Sequence, residues 1–167
     1  LAYGDLACLG NPYTQTPHLD RLHRDSVRLK RYCSGPLCTP ARAALMTGRH
    51  PYRTKAIDTY CGRSILDPDE RTVAQILGTA GYTPGLFGKW HLGDTLPSRP
   101  QDLGFDEALW HTGGGIGQPS HVGRNSYFDP DLIRDGRREP SRGYCTDVFT
   151  DATLAFIEAH QAEPWFA

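Results

Sequence analysis

The 167-residue sequence lacks an excess of charge of either sign: 18 Lys and Arg stand against 19 Asp and Glu, a formal net charge of −1 at pH 7. Nucleic-acid binding, which needs a basic surplus or stripe, finds no support in that balance. No apolar run is long enough to suggest a membrane span. With 38% hydrophobic and 22% charged residues, the composition is that of an ordinary globular domain and not of a disordered chain. The cysteines, Cys8, Cys33, Cys38, Cys61 and Cys145, carry no zinc signature, because Cys33 and Cys38 have neither a matching second pair nor a nearby His. Their odd number leaves one over after any pairing but demonstrates no disulfide, so the thiols leave the compartment open. The glycine-rich run His111 to Gln118 lacks the G-x-x-x-x-G-K spacing, which argues against a nucleotide cradle. An initiating methionine and a signal peptide are also missing, and the chain stops at Pro164-Trp165-Phe166-Ala167 as an apolar strand begins. Both ends read as cut, and residues 1–167 as part of one domain.

What is present is organised around Pro36 to Gly48. Thr39 reads as an N-cap, Pro40 suits the first helical position, and Gly48 is a natural stop, so the spacing predicts a helix over Pro40 to Thr47. Cys38 then sits just outside the helix mouth, where unpaired N–H groups and the macrodipole favour an anion. Arg42 follows four residues later, and its guanidinium can return over the first turn as a planar, bidentate fork.

Cys38-Thr39-Pro40-Ala41-Arg42 through Leu45-Met46-Thr47-Gly48-Arg49 resembles the sulfatase signature C-x-P-x-R, an apolar pair and T-G-R, at every position. The resemblance implies that Cys38 is converted by a formylglycine-generating enzyme into formylglycine, whose hydrate attacks the sulfur of a sulfate ester. It also implies a divalent cation, calcium ahead of magnesium, held by the modified Cys38 and by ligands that precede and follow this fragment. The fragment alone is therefore expected to be inactive. A periplasmic or secreted location is a further family expectation.

Around this stretch, Asp5 reads as a structural turn residue. Thr16-Pro17 begins a surface helix running to about Ser26, followed by an alternating strand from Val27 to Cys33. The T-P-x-L-D-x-L phrase is shared with the family. His18 and His23, five apart, do not share a helix face and read as solvated. Arg49 orients the helix it leaves. Residues 54–68 look irregular. Asp69 opens an amphipathic helix with Val73, Ile76, Leu77 and Ala80 on one face, closed by Gly81. Tyr82 to Phe87 then reads as a buried parallel strand, and helix followed by strand indicates an α/β architecture.

That strand delivers Gly88-Lys89-Trp90-His91-Leu92-Gly93, with Lys89 and His91 on one side if the backbone stays extended. This resembles a second sulfatase signature, G-Y-x-T through G-K-W-H, with departures at Pro84 and Phe87. It implies that Lys89 contacts the sulfate and that His91 hydrogen-bonds the formylglycine hydrate. Pro97 to Trp110 is predicted as loop, and residues 113–142 as an insertion at the pocket rim. His111, His121 and Arg124 are candidate substrate contacts there. A last helix, Asp147 to His160, is capped by Thr146 and buries Val148, Ala152, Ala155 and Phe156.

The fold expected is a partial alkaline-phosphatase-like sulfatase sandwich, a mostly parallel sheet flanked by helices. The activity expected is a sulfuric ester hydrolase with Cys38, Arg42, Lys89 and His91 as catalytic residues, acting on a sulfated small molecule or carbohydrate. Three alternatives stay open. One is a phosphonate or phosphodiester hydrolase of the same superfamily, another a catalytically inactive binder of sulfated glycans, and the third an enzyme using the unmodified Cys38 thiol.

Overall fold

A computed structural model of the chain describes residues 3–60 and 62–167. Leu1, Ala2 and Cys61 lie outside this range. Residues 1–34 and 35–167 form two compact units.

In the first unit, short 3-10 turns at Tyr3–Asp5 and Ala7–Leu9 precede α1, Pro17–Asp25. The Thr16 hydroxyl donates to Asp20 Oδ1 (2.7 Å) and accepts the Ala7 N–H (3.0 Å), while the same carboxylate oxygen accepts the Cys8 N–H (3.1 Å). The turn and the helix start are thereby tied together. The strand expected from Val27 to Cys33 does not form. Alternation alone cannot hold a strand without a ladder partner, and Val27 and Leu29 are exposed here.

The second unit is built on a five-stranded sheet: β1 (Thr83–Lys89), β2 (Glu107–His111), β3 (Asp131–Arg134), β4 (Arg137–Pro140) and β5 (Trp165–Phe166), in the order β4-β3-β2-β1-β5. β1 runs parallel to both β2 and β5, whereas β2-β3 and β3-β4 are antiparallel, so the sheet is mixed, parallel around β1 with an antiparallel hairpin at one edge. Its helices are α2 (Cys38–Thr47), α3 (Val73–Thr79) and α4 (Cys145–Ala159), and both α3 and α4 pack against β1. The α/β class expected is the one found. None of the described helices is long and apolar enough to cross a membrane.

Several local expectations yield to tertiary packing. All of β2 but His111 falls in the stretch expected as loop; β1 and β3 pair with its backbone, while Ala108 and Trp110 join one buried cluster and Leu109 another. The expected rim insertion contains the β3-β4 hairpin, turned by Asp135 (φ +47°) and Gly136 (φ +83°), a positive-φ pair that matches the strand twist. Asp69 to Thr72 precede α3 instead of opening it: Thr72 is the cap, exchanging bonds with Gln75. Ala74 is the buried residue of α3, while Ile76 and Ala80 are exposed. α4 starts at Cys145, so Thr146 is not its cap, and Phe156 is its deepest apolar residue while Ala155 faces out.

The core under the site joins Trp90, Leu92, Leu66, Leu103, Phe105, Trp110 and Ala43. Fully burying a large apolar side chain contributes about 1.5–3 kcal/mol. Trp90, between Lys89 and His91, is fully buried and donates its indole N–H to the Ser98 carbonyl at 2.8 Å. The chain at the end of β1 is therefore anchored by its central residue.

Candidate active site

Helix α2 is fastened to the end of β1 through three successive carbonyls. Thr39 Oγ1 donates to the His91 carbonyl (3.1 Å), Arg42 Nε to the Trp90 carbonyl (2.6 Å), and Arg42 Nη2 to the Lys89 carbonyl. The Thr39 hydroxyl thus caps nothing: the N-cap is Leu37, whose side chain makes no capping bond, and Cys38 is the first residue of the helix. Local rules favour Thr as a cap, but a buried carbonyl 52 positions away takes its proton instead. Arg42 likewise gives two donors of its fork to the strand end. Burial pulls its pKa down and the Cys38 charge pulls it up, yet a guanidinium stays protonated in proteins.

Cys38, Lys89 and His91 then line one cleft of about 530 Å³, together with Thr59, Asp94, Gly114 and Gln118 among others. Arg42 borders a neighbouring hollow with Leu45, Met46 and Phe105, and Lys89 lines both. Lys89 and His91 reach the cleft by a route other than the one expected. The strand ends at Lys89 and His91 adopts φ +55°, so a turn, and not extended backbone, aims the ring. His91 is buried, which lowers its pKa, and the Lys89 and Arg42 charges lower it further, against a small opposing effect of the Thr59 backbone. The ring is held neutral near pH 7, as a proton acceptor requires.

The three candidate substrate contacts are not gathered here. His111 and His121 are buried, 6.1 Å apart edge to face, and neither lines the cleft. His111 Nδ1 lies 3.2 Å from the Thr112 carbonyl, and burial above all pushes the ring's pKa down to about 4. Both ring nitrogens of His121 lack partners among the described residues. Arg124 is exposed and paired with Asp131 at 3.4 Å. Arg49 holds both carboxylate oxygens of Glu70 (2.8 and 2.9 Å), tying the C-terminal end of α2 to the approach to α3.

Asp94 and Gln118 are cleft residues that sequence reasoning missed. Asp94 stands directly after the G-K-W-H-L-G stretch, which was the signal that could have found it. The four described cysteines, Cys8, Cys33, Cys38 and Cys145, are free thiols. Among the described residues, no group of three or more His, Cys, Asp or Glu side chains is placed to hold a metal ion.

Comparison with known proteins matches a family described as Sulfatase over residues 1–167. Arylsulfatase D of Homo sapiens is 41% identical over 121 residues, 64% of this chain and 20% of that protein. N-acetylglucosamine-6-O-sulfatase of Bacteroides thetaiotaomicron is 32% identical over 154 residues, 92% of this chain and 25% of that protein. The chain thus spans a quarter or less of these relatives. Among solved structures, BT4656 in complex with its substrate D-glucosamine-2-N,6-O-disulfate superposes with a TM-score of 0.79 at 30% identity, covering 98% of this chain and 30% of that one.

Proposed function

Because this chain belongs to the sulfatase family, we propose that it supplies the nucleophile wall of a sulfuric ester hydrolase, as one part of a single catalytic domain. The observation that carries this reading is the meeting of Cys38, Lys89 and His91 in one cleft, from two signatures about fifty residues apart.

Formylglycine made from Cys38 would supply a hydrated aldehyde as the attacking group. The site fits it: Cys38 is half-buried, opens α2, and borders the cleft that Lys89, His91 and Asp94 also line. The free N–H groups of the first helical turn favour an anion at that position. Lys89 sets its ammonium at the same cleft, where a fixed charge stabilises sulfate oxygens as negative charge shifts between them. His91, held neutral, would accept at a ring nitrogen the proton of the remaining hydroxyl of the hydrated aldehyde, the loss that lets sulfate leave by cleavage of the carbon–oxygen bond and restores the aldehyde. Arg42 holds the backbone from which Lys89 and His91 project and adds positive potential behind them. The residues described here do not by themselves build a cation site, and no step is assigned to a calcium or magnesium ion.

A sulfated carbohydrate is the substrate class we propose. It rests on the N-acetylglucosamine-6-O-sulfatase that aligns with 92% of the chain and on the sulfated glucosamine bound in the superposed structure. The formylglycine-generating enzyme is the proposed maturation partner, and a periplasmic or secreted location the proposed compartment.

The test uses the full-length protein from its native host. The mass of the Cys38 peptide is measured alongside turnover of N-acetylglucosamine 6-sulfate, a nitrophenyl sulfate and a nitrophenyl phosphodiester. An aldehyde mass with sulfate-ester turnover is expected. Faster phosphodiester cleavage would move the reading to the phosphate branch. An unmodified thiol in active enzyme would overturn the nucleophile.

A further inference from the structure

The Asp94 carboxylate sits in the cleft wall and accepts the Gly113 N–H at 2.8 Å through Oδ2. Gly113 turns at φ +64°, and a Cβ there would stand 2.1 Å from Ser120 Oγ, so only bare backbone fits. Gly114 follows, its N–H donating to the same Ser120 hydroxyl at 3.3 Å. A Cβ on Gly114 would lie 3.0 Å from His91 Cε1, 3.3 Å from His91 Nε2 and 2.6 Å from Gln118 Oε1. Gly114 thus stands beside the Cε1–Nε2 edge of the His91 ring, where a side chain would crowd it.

His91 needs such a neighbour. Its Nδ1 is buried and has no hydrogen-bond partner among the described residues, so no bond at that atom fixes the ring's rotation. The Thr59 backbone bears on the ring from one side, and the Gly114 backbone, which carries no side chain, stands beside its Cε1 and Nε2 atoms. Asp94 provides a charged anchor for that backbone, in a bond of the stronger, charge-assisted kind.

We propose that Asp94 is a positioning residue for His91: by holding the Gly113 amide it keeps the adjoining Gly114 backbone beside the imidazole, and so helps to set where the ring meets the nucleophile. This rests on the role of His91 given above. Asp94 itself touches neither the nucleophile nor the sulfur in this scheme.

The experiment uses the mature full-length enzyme, with formylglycine content equalised by peptide mass, and compares Asp94→Ala, Asp94→Asn, Gly114→Ala and His91→Ala. It also includes the two double variants that join His91→Ala to Asp94→Ala and to Gly114→Ala. A ring misplaced by a fraction of an ångström to an ångström is expected to lower kcat by about tenfold to a hundredfold in Asp94→Ala. KM should change by less than about threefold, since ground-state binding is untouched. Asp94→Asn should recover most of the rate, because its amide oxygen can accept the same N–H. In the His91→Ala background the Asp94→Ala cost should shrink to less than about twofold, the mark of two residues acting as one unit. Gly114→Ala provides the same cycle independently, should Asp94→Ala fail to accumulate.

An undiminished cost in the His91→Ala background, a loss confined to KM, or no advantage of Asn over Ala would overturn the proposal. Loss of activity in His91→Ala with none in Asp94→Ala would overturn it alone and leave the functional reading standing. A His91→Ala enzyme as fast as the parent would overturn both.

Discussion

Replacing Arg42 by Ala separates a brace from an anion ligand. The side chain donates from Nε and Nη2 to the carbonyls of Trp90 and Lys89. Losing a charged donor and stranding its acceptor costs about 1.5–3 kcal/mol per bond, giving a gross loss of about 3–6 kcal/mol. Removing the guanidinium also removes the desolvation penalty of a partly buried cation, which offsets a few kcal/mol of that. The net expectation is a loss of about 2–4 kcal/mol of stability. With a urea slope of about 2 kcal/mol/M, the unfolding midpoint of the full-length protein should fall by about 1–2 M, with the slope unchanged. Arg42→Lys keeps the charge but has no planar fork, and a single ammonium replaces two donors held at fixed spacing, so its midpoint should lie between the two. Activity is expected to fall in parallel, since Lys89 and His91 project from the segment that Arg42 holds. An Arg42→Ala protein that unfolds at the parental urea concentration yet has lost turnover would refute this reasoning and return Arg42 to direct contact with the sulfate.

Three further substitutions test the frame around the site. Thr72→Ala removes the Oγ1 that accepts the Gln75 N–H (3.2 Å) and donates to the buried Leu103 carbonyl (2.6 Å). A loss of about 1–3 kcal/mol is expected in urea unfolding, and clearly less for Thr72→Ser, which keeps the hydroxyl. Gly85→Ala puts a Cβ 2.8 Å from Phe87 Cε2 and 2.9 Å from Phe156 Cε2; the overpacking should cost about 1–3 kcal/mol, and Phe156→Leu in the same protein should recover part of it. His160 contacts Glu163 at 2.6 Å and Glu107 at 3.0 Å, and these carboxylates raise its pKa above that of the unfolded chain. The charged ring therefore adds stability that is complete below about pH 6.5 and is lost as pH rises through the raised folded value. Thermal midpoints measured across that range should show this slope, and His160→Gln should flatten it.

What was legible locally in the sequence was whatever a short stretch decides for itself. Thr16-Pro17 opens α1 where expected, and the apolar run before Gly88 is β1. The failures share a cause. Val27 to Cys33 alternates like a strand but has no ladder, while β2 pairs on both edges and lacks alternation because both its faces are covered, Ala108 and Trp110 in one cluster and Leu109 in another. The β3-β4 hairpin did carry a readable sign, Asp135-Gly136 between short runs, which the expectation of a rim insertion passed over. In each case pairing partners distant in sequence decided the outcome, and propensity did not.

The candidate site divides along the same line. Which residues meet was readable: the two signatures place Cys38, Lys89 and His91 in one cleft. How they are held was not, because helix rules connect Arg42 to Cys38 four residues away, whereas the fold connects it to carbonyls 47 and 48 residues away. The reason is an accounting one at the end of β1. Backbone acceptors that lie at or beyond a strand's last rung, in a buried place, must find donors. The carbonyls of Lys89, Trp90 and His91 find them all on α2, two from Arg42 and one from Thr39. The residues of C-x-P-x-R that look like chemistry beside Cys38 thus act first as the fastening that brings the helix mouth to the strand tip. A graft of Cys38 onto another helix start, without Thr39 and Arg42 and a strand end offering three carbonyls, would reproduce the thiol's local surroundings and lose its alignment with Lys89 and His91.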